Sequence, residues 1–204
     1  MNISENDVSM LRSSVMSGMS EKRYQHTLGV ERMARFLASH LLPDRVEELA
    51  AAALLHDISK EIPIDVQIEM LEKDGFQLTD EDIKTPGVIH SFSGPVVIKN
   101  QYYDFASDDV LKAVRSHTIG AETMSVFDKI IFVSDYTEDT RTYQSCIEVR
   151  NFLISGFENL SYEDKLKRLN KACALSIQGT IDAILRAGKP INSRIKNAQN
   201  PFLT

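Results

Sequence analysis

The sequence predicts an all-α fold, a single helical bundle with a C-terminal helix packed on its side. Three observations carry this. Apolar residues recur at helical spacing along most of the chain, and few stretches alternate apolar and polar residues as a half-buried strand would. The sparse glycines and prolines fall where helices should end. A chain of 204 residues suits one domain with a helical appendage and can bury a sizeable core without disulfides.

Taken in order, Val8, Leu11 and Val15 line a short opening helix, so residues 1–20 read as an N-terminal helical segment. Leu28, Met33, Phe36, Leu37 and Leu41 can share a broad face of the next helix. Pro43 and Asp44 open a segment through Val46, Leu49, Ala50, Ala53 and Leu54. A helix over Ile64 to Leu71 stops at Gly75, a C-terminal cap. Thr79 with Asp82 resembles an acidic capping box before a short helix, and Pro86-Gly87 breaks the chain before a segment from Val88 to Ile98. Ser107 caps Val110 to Ser116, and Ser125 with Asp128 starts Phe127 to Asp135. Ser161 with Asp164 begins a long helix through Leu166, Leu169, Leu175 and Ile184, which Gly188 and Pro190 end.

Composition excludes several function classes. With 43% hydrophobic and 25% charged residues the chain is ordinary for a globular protein. Its formal net charge of −6 argues against a broad electrostatic grip on nucleic acid, so phosphate must be held by a metal or by a few local cations. The longest aliphatic run, Leu49 to Leu55, is far too short to cross a bilayer. The start, Met1 to Asp7, lacks the basic and apolar blocks of a secretory signal, and a cytoplasmic location is expected. Cys146 and Cys173 form no Cys-x-x-Cys pair and read as small half-buried residues in a reducing compartment.

The chemistry concentrates in the histidines. Of His26, His40, His56, His90 and His117, only His40 has neighbours that suggest nothing beyond structure. His56-Asp57 follows a helix that must be buried, and a carboxylate there is costly unless paired or coordinated. Pairing of Asp57 with Lys60 three residues on would satisfy the carboxylate but leaves His56 without a purpose. Asp135 repeats the pattern behind the interior residues Ile130, Ile131 and Val133. Inward carboxylates and imidazoles that share a divalent metal are both satisfied, and facing helices build such sites from positions far apart in sequence.

The order His26, His56-Asp57, His90, His117, Asp135 resembles the HD-domain superfamily of metal-dependent phosphohydrolases. The flanking residues are similar to the YqeK family of symmetrical bis(nucleosyl)-tetraphosphate hydrolases. Arg23-Tyr24-Gln25-His26-Thr27, Leu54-Leu55-His56-Asp57-Ile58-Ser59-Lys60, Arg115-Ser116-His117-Thr118 and Ser134-Asp135-Tyr136-Thr137-Glu138 carry the likeness, which covers most of residues 20 to 190. It implies an HD domain over residues 21–190 and a C-terminal tail over 191–204. It further implies that His26, His56, Asp57 and Asp135 hold an iron ion. His90 and His117 then face the phosphates or complete a second metal site, and Arg23, Lys60 and Arg141 contact the nucleotide. The donor types alone leave manganese, cobalt and nickel open beside iron. Ser91, Ser134 and Asp139 depart from the usual pattern, and Asp139 is expected to repel a polyphosphate or to hold Arg141 away from it.

The implied reaction splits diadenosine tetraphosphate into two ADP by attack of metal-activated water on the polyphosphate. Asp57 would orient that water or bridge two ions, the three cations would offset charge, and His90 or His117 would protonate the leaving group when not metallated. Tyr24, Tyr136 or Tyr143 are candidates to stack on a base. Alternatives are another HD nucleotidase and a nucleotide sensor without turnover. A cyclic-dinucleotide phosphodiesterase is disfavoured, because Ile58-Ser59-Lys60-Glu61-Ile62-Pro63 replaces the Gly-Tyr-Pro signature expected after its His-Asp pair. The only partner expected is the small nucleotide, with no nucleic acid or membrane, and a homodimer is left open.

Overall fold

A buried aliphatic helix sets the architecture. In the computed structural model, which describes residues 3–199 and 201, α3 (Val46–Leu55) is buried along its whole length from Leu49 to Leu55. A helix apolar on every side must be surrounded. The opening helix α1 (Glu5–Ser17), α2 (Glu21–Leu41), α7 (Asp108–Ser116) and α8 (Val126–Thr137) enclose it. Among the described residues there are eleven helices and no strand. Residues 1, 2, 200 and 202–204, parts of the expected N-terminal segment and tail, lie outside the described residues.

The helix starts follow their caps. Ser4 and Asp7, Thr79 and Asp82, and Ser125 and Asp128 each form a reciprocal capping box, for α1, α5 (Asp80–Lys84) and α8. Ser20, Ser107 and Ser161 cap α2, α7 and the long α10 (Tyr162–Arg186). The face of α2 is rotated from the expected one. Tyr24, Val30, Ala34, Leu37, Ala38 and Leu41 are buried, whereas Leu28, Met33 and Phe36 are only half-buried. The rotation brings His26 and Glu31 inward, and Glu31 is satisfied there by Arg12 of α1 and by Arg35.

The remaining helices are α4 (Ile64–Lys73), α6 (Ile89–Gln101), α9 (Gln144–Ile154) and α11 (Ser193–Gln199). Gly75 adopts a positive φ of 77° just past α4, as its capping role requires. Two elements carried no expectation. Helix α9 packs on α8 and α10, and its first residue follows Tyr143 without a side-chain cap, which removes the usual start signal.

Residues 191–204, expected as a tail, contain α11, which packs on α10 and buries Ile195 and Ala198. Ala198 approaches Gly120, where an added Cβ would lie 2.9 Å from the Ala198 Cβ. Polar anchors hold the segment down. Asn192 Nδ2 and Arg194 Nε donate to Asp82 Oδ1 at 2.9 and 3.1 Å, and Arg194 Nη2 reaches Oδ2 at 3.1 Å. The signal missed was a seven-residue helix joined to the bundle by charge rather than by a long apolar stripe.

Asp82 is pulled down to about 2: burial pushes the carboxyl upward, and hydrogen bonds from Arg194, Thr79 and Asn192 outweigh it. Because the folded value lies below the ordinary 3.8, the stabilisation is full above that value and is lost as pH falls through about 2. Asp82→Ala is therefore expected to lower stability by roughly 2 kcal/mol at pH 7. The gap to the unsubstituted protein should close on acidification from pH 4 to pH 2. Urea midpoints that coincide at pH 7 would show that α11 is not anchored in this way.

Candidate metal centre

Segments at the ends of α3, α6, α7 and α8 meet the first turns of α2. Ser20 caps α2 and so places Arg23 and His26 three residues apart on one face. Beyond α3 the chain tightens into successive turns, with Ile58 N–H on Leu55 O, Lys60 N–H on Asp57 O and Ile62 N–H on Ser59 O. His56 and Asp57 stand on these turns and Lys60 follows. His90 is the second residue of α6, and its carbonyl accepts the Ser59 hydroxyl at 2.9 Å, which ties the two segments together. His117 closes α7, and Asp135 lies in the last turn of α8.

All six expected donors converge. Asp57 stands at the middle, 5% exposed, with its two oxygens facing opposite ways. Oδ2 lies 3.7 Å from His26 Nε2 and 3.4 Å from His56 Nε2. Asp135 Oδ1 closes that group, 3.1 Å from His26 Nε2 and 3.9 Å from His56 Nε2. Oδ1 of Asp57 lies 3.1 Å from His90 Nε2 and 3.3 Å from His117 Nε2, which are 3.1 Å from each other. Two groups, His26–His56–Asp135 and His56–Asp57–His117, have ligand atoms close enough to hold one ion.

The donor set fits a divalent metal. Ligands about 2.0–2.2 Å from one ion stand roughly 3–3.5 Å from one another, and the separations here run from 3.1 to 3.9 Å. Ring orientation is fixed from behind: His56 Nδ1–H donates to Ala53 O and His117 Nδ1–H to Val114 O, both at 2.6 Å. Their Nε2 lone pairs are left pointing at carboxylate oxygens, an array of acceptors that is unfavourable unless a cation or a proton stands among them. A proton serves that end on His26, which is pushed up to about 9; burial acts downward, and hydrogen bonds with Asp135 and Glu138 outweigh it. Burial lowers His56 and takes His90 down to about 4, so both are neutral imidazoles suited to coordination. Asp57 and Asp135 are held well below the usual carboxylate range. Burial opposes this, and the neighbouring histidines, with Arg141 beside Asp135, overcome it.

The three expected cations line the same place. Arg23 Nη1 contacts Asp57 Oδ2 at 2.5 Å, and its Nε is buried without a partner, a donor free for an anion. Arg141 Nη2 meets Asp135 Oδ1 at 2.6 Å. Lys60 does not pair with Asp57. Its Nζ lies 3.1 and 3.2 Å from the two ring nitrogens of His90, and burial lowers its pKa.

Asp139, expected to disturb Arg141, points elsewhere and binds Arg32 at 2.7 Å on the surface. His40 packs edge-on against Phe36 and Phe157, away from the centre. Glu138 and Thr118 were not foreseen. Glu138 Oε1 lies 3.0 Å from His26 Nδ1, and the Thr118 hydroxyl is 2.9 Å from His90 Nε2. Only their places beside Asp135 and His117 in the chain could have pointed to them.

The HD domain family model matches residues 23–140. The chain belongs to the HD-domain family. This HD domain is 30% identical to a symmetrical bis(5'-nucleosyl)-tetraphosphatase of Halalkalibacterium halodurans, over 85% of this chain and 84% of that protein. It is also 30% identical to the Bacillus subtilis protein of the same name, over 87% of each. A solved structure from Clostridium acetobutylicum, described as a "predicted HD superfamily hydrolase involved in NAD metabolism", superposes with a TM-score of 0.81 at 29% identity, covering 98% of each chain. The protein is a hydrolase of this family.

From the HD residues a cleft of about 1040 Å³ runs outward between the start of α9 and the end of α10. Tyr136 and Tyr143 line it, whereas Tyr24 is buried in the core and does not. The Tyr136 hydroxyl donates to Ser145 at 3.1 Å and lies across Gly179 of α10, where an added Cβ would stand 2.1 Å from it. Gly179→Ala should therefore displace the ring and destabilise the protein by about 1–3 kcal/mol. Tyr136→Phe in the same chain should restore most of the loss, as thermal unfolding of the three variants would reveal. Equal midpoints for Gly179→Ala and the unsubstituted chain would mean that α8 and α10 part easily at this wall.

Proposed function

We propose that this HD hydrolase splits dinucleoside tetraphosphates symmetrically, diadenosine tetraphosphate to two ADP, with His26, His56, Asp57 and Asp135 as metal ligands and iron as the metal. The observation that carries the reading is the position of Asp57, which lines the cleft with its two oxygens facing two groups of histidines. The names of the relatives supply the substrate class. The cleft of about 1040 Å³ has room for a dinucleotide. No helix of the described residues is long and apolar enough to cross a membrane, and the two buried free cysteines accord with a cytoplasmic location.

When bound, a divalent metal supplies Lewis-acid chemistry that makes water acidic near neutral pH and offsets phosphate charge. The chain does the rest. Arg23 and Arg141, now braced by the carboxylates of Asp57 and Asp135, can turn part of their donor fork to phosphate oxygens. The part-buried Lys60 Nζ stands beside His90, where it can face charge developing on the departing nucleoside diphosphate. Burial takes His90 down to about 4, so it is a neutral imidazole at neutral pH, and with His117, whose Nε2 is 3.1 Å away, we assign it to the second metal position and to holding phosphate. A departing nucleoside diphosphate is stable as an anion, so cations can replace an acid at this step.

Product analysis after addition of diadenosine tetraphosphate should find ADP alone, abolished by a chelator and restored by iron. Release of free phosphate instead would move the protein to the nucleotidases. Asp57→Ala is expected to lose both bound metal and turnover, and a variant that keeps both removes the scheme. Lys60→Met should retain its metal while kcat falls roughly 10²-fold.

A further inference from the structure

We propose that Glu138 is the positioning residue that aims His26 at the metal, and that Gly29 is the opening in α2 through which it reaches. The inference rests on His26 being a metal ligand and adds the device that orients it. Of the four converging histidines, His26, His56 and His117 have Nδ1 held from behind so that Nε2 faces inward. His56 and His117 stand at helix ends, where the carbonyls of the last turn have no ladder partner, and each uses the carbonyl three residues back. His26 lies inside α2, where the preceding carbonyls are taken by the helix ladder. It must find an acceptor from another segment, and Glu138 provides it at 3.0 Å.

The carboxylate that does this is itself fixed. Glu138 is 0% exposed and lies just past the end of α8. Thr140 donates its backbone N–H to Oε2 at 2.6 Å and its hydroxyl to Oε1 at 2.7 Å. The Glu138 carbonyl accepts Arg150 Nη1 at 2.6 Å. Asp139 is tied to Arg32 by bonds of 2.7 and 2.9 Å, which docks the segment on α2.

Gly29 lies three residues after His26, on the same face of α2. A Cβ there would meet Glu138 Oε2 at 2.4 Å and Asp139 Oδ1 at 2.9 Å. Its φ is not positive, so the backbone does not demand glycine. A glycine inside a helix is less favourable than alanine by roughly 1 kcal/mol. The space it leaves is the one the carboxylate fills.

The test uses the full chain and zinc as a diamagnetic probe, titrated against a coloured chelator. Glu138→Ala and Gly29→Ala are each expected to weaken zinc binding 10- to 100-fold. Glu138→Gln should stay within about threefold, because its amide oxygen still accepts Nδ1–H. The double variant Gly29→Ala/Glu138→Ala should bind no more weakly than Glu138→Ala alone. Proton NMR of the zinc-free protein should show a downfield His26 Nδ1–H that both alanine variants lose. Unchanged zinc affinity and an unchanged Nδ1–H resonance in Gly29→Ala and Glu138→Ala would overturn the proposal. If the unsubstituted chain binds no zinc, the metal reading fails, and the Nδ1–H resonance still decides whether Glu138 orients the ring. Should Glu138→Ala not fold, the comparison of Gly29→Ala with Glu138→Gln decides between the outcomes.

Discussion

A buried carboxylate governs this structure. Asp57 sits at the end of a helix that is apolar on every side, where an unpaired charge would be strongly destabilising. Everything around it is arranged to answer that charge on both oxygens: Arg23 and two histidines on one side, two more histidines on the other. The ends of four helices and the first turns of α2 come to one point because each brings a donor to the same small group. The bundle is thus assembled around its least apolar spot as much as around its core.

The polar centre and the apolar core share a wall. Asp135 projects from the helix whose Ile130, Ile131 and Val133 are fully buried. His56 follows directly on Leu54 and Leu55. Rigid packing on one side therefore limits movement of the clustered His and Asp side chains on the other, as a preorganised site requires. The Ser59 hydroxyl on the His90 carbonyl, with Ser93 between Ser59 and Gln67, extends the same restraint from α6 to the turns after α3.

Much of this was legible in the chain itself. Capping pairs marked the starts of α5, α8 and α10, and the unbroken run from Leu49 to Leu55 marked the enclosed helix. The expected ligand set came from the resemblance to the HD-domain superfamily, whereas inward His and Asp in apolar surroundings pointed only to a shared partner. What escaped were features that depend on a neighbour distant in sequence. Glu138 acquires a role only when α2 passes beside it, and α11 is held by Asp82, which lies 112 residues before Arg194. Helix α9 begins without a cap, so its start was silent. The effect expected of Asp139 failed for a like reason, since Arg32, its partner, lies far back on α2.

The cleft has a division of labour along the chain. Its metal end is built from residues that fall within 23–140, the span matched by the HD family, whereas its outer walls are formed mainly by α9 and the last turns of α10. Substitutions in the later part can reshape what the cleft admits while the ion-binding end stays untouched. Inheritance of the chemistry and drift in the choice of substrate are thereby separable, because the outer wall of the cleft can change while the His and Asp cluster is kept.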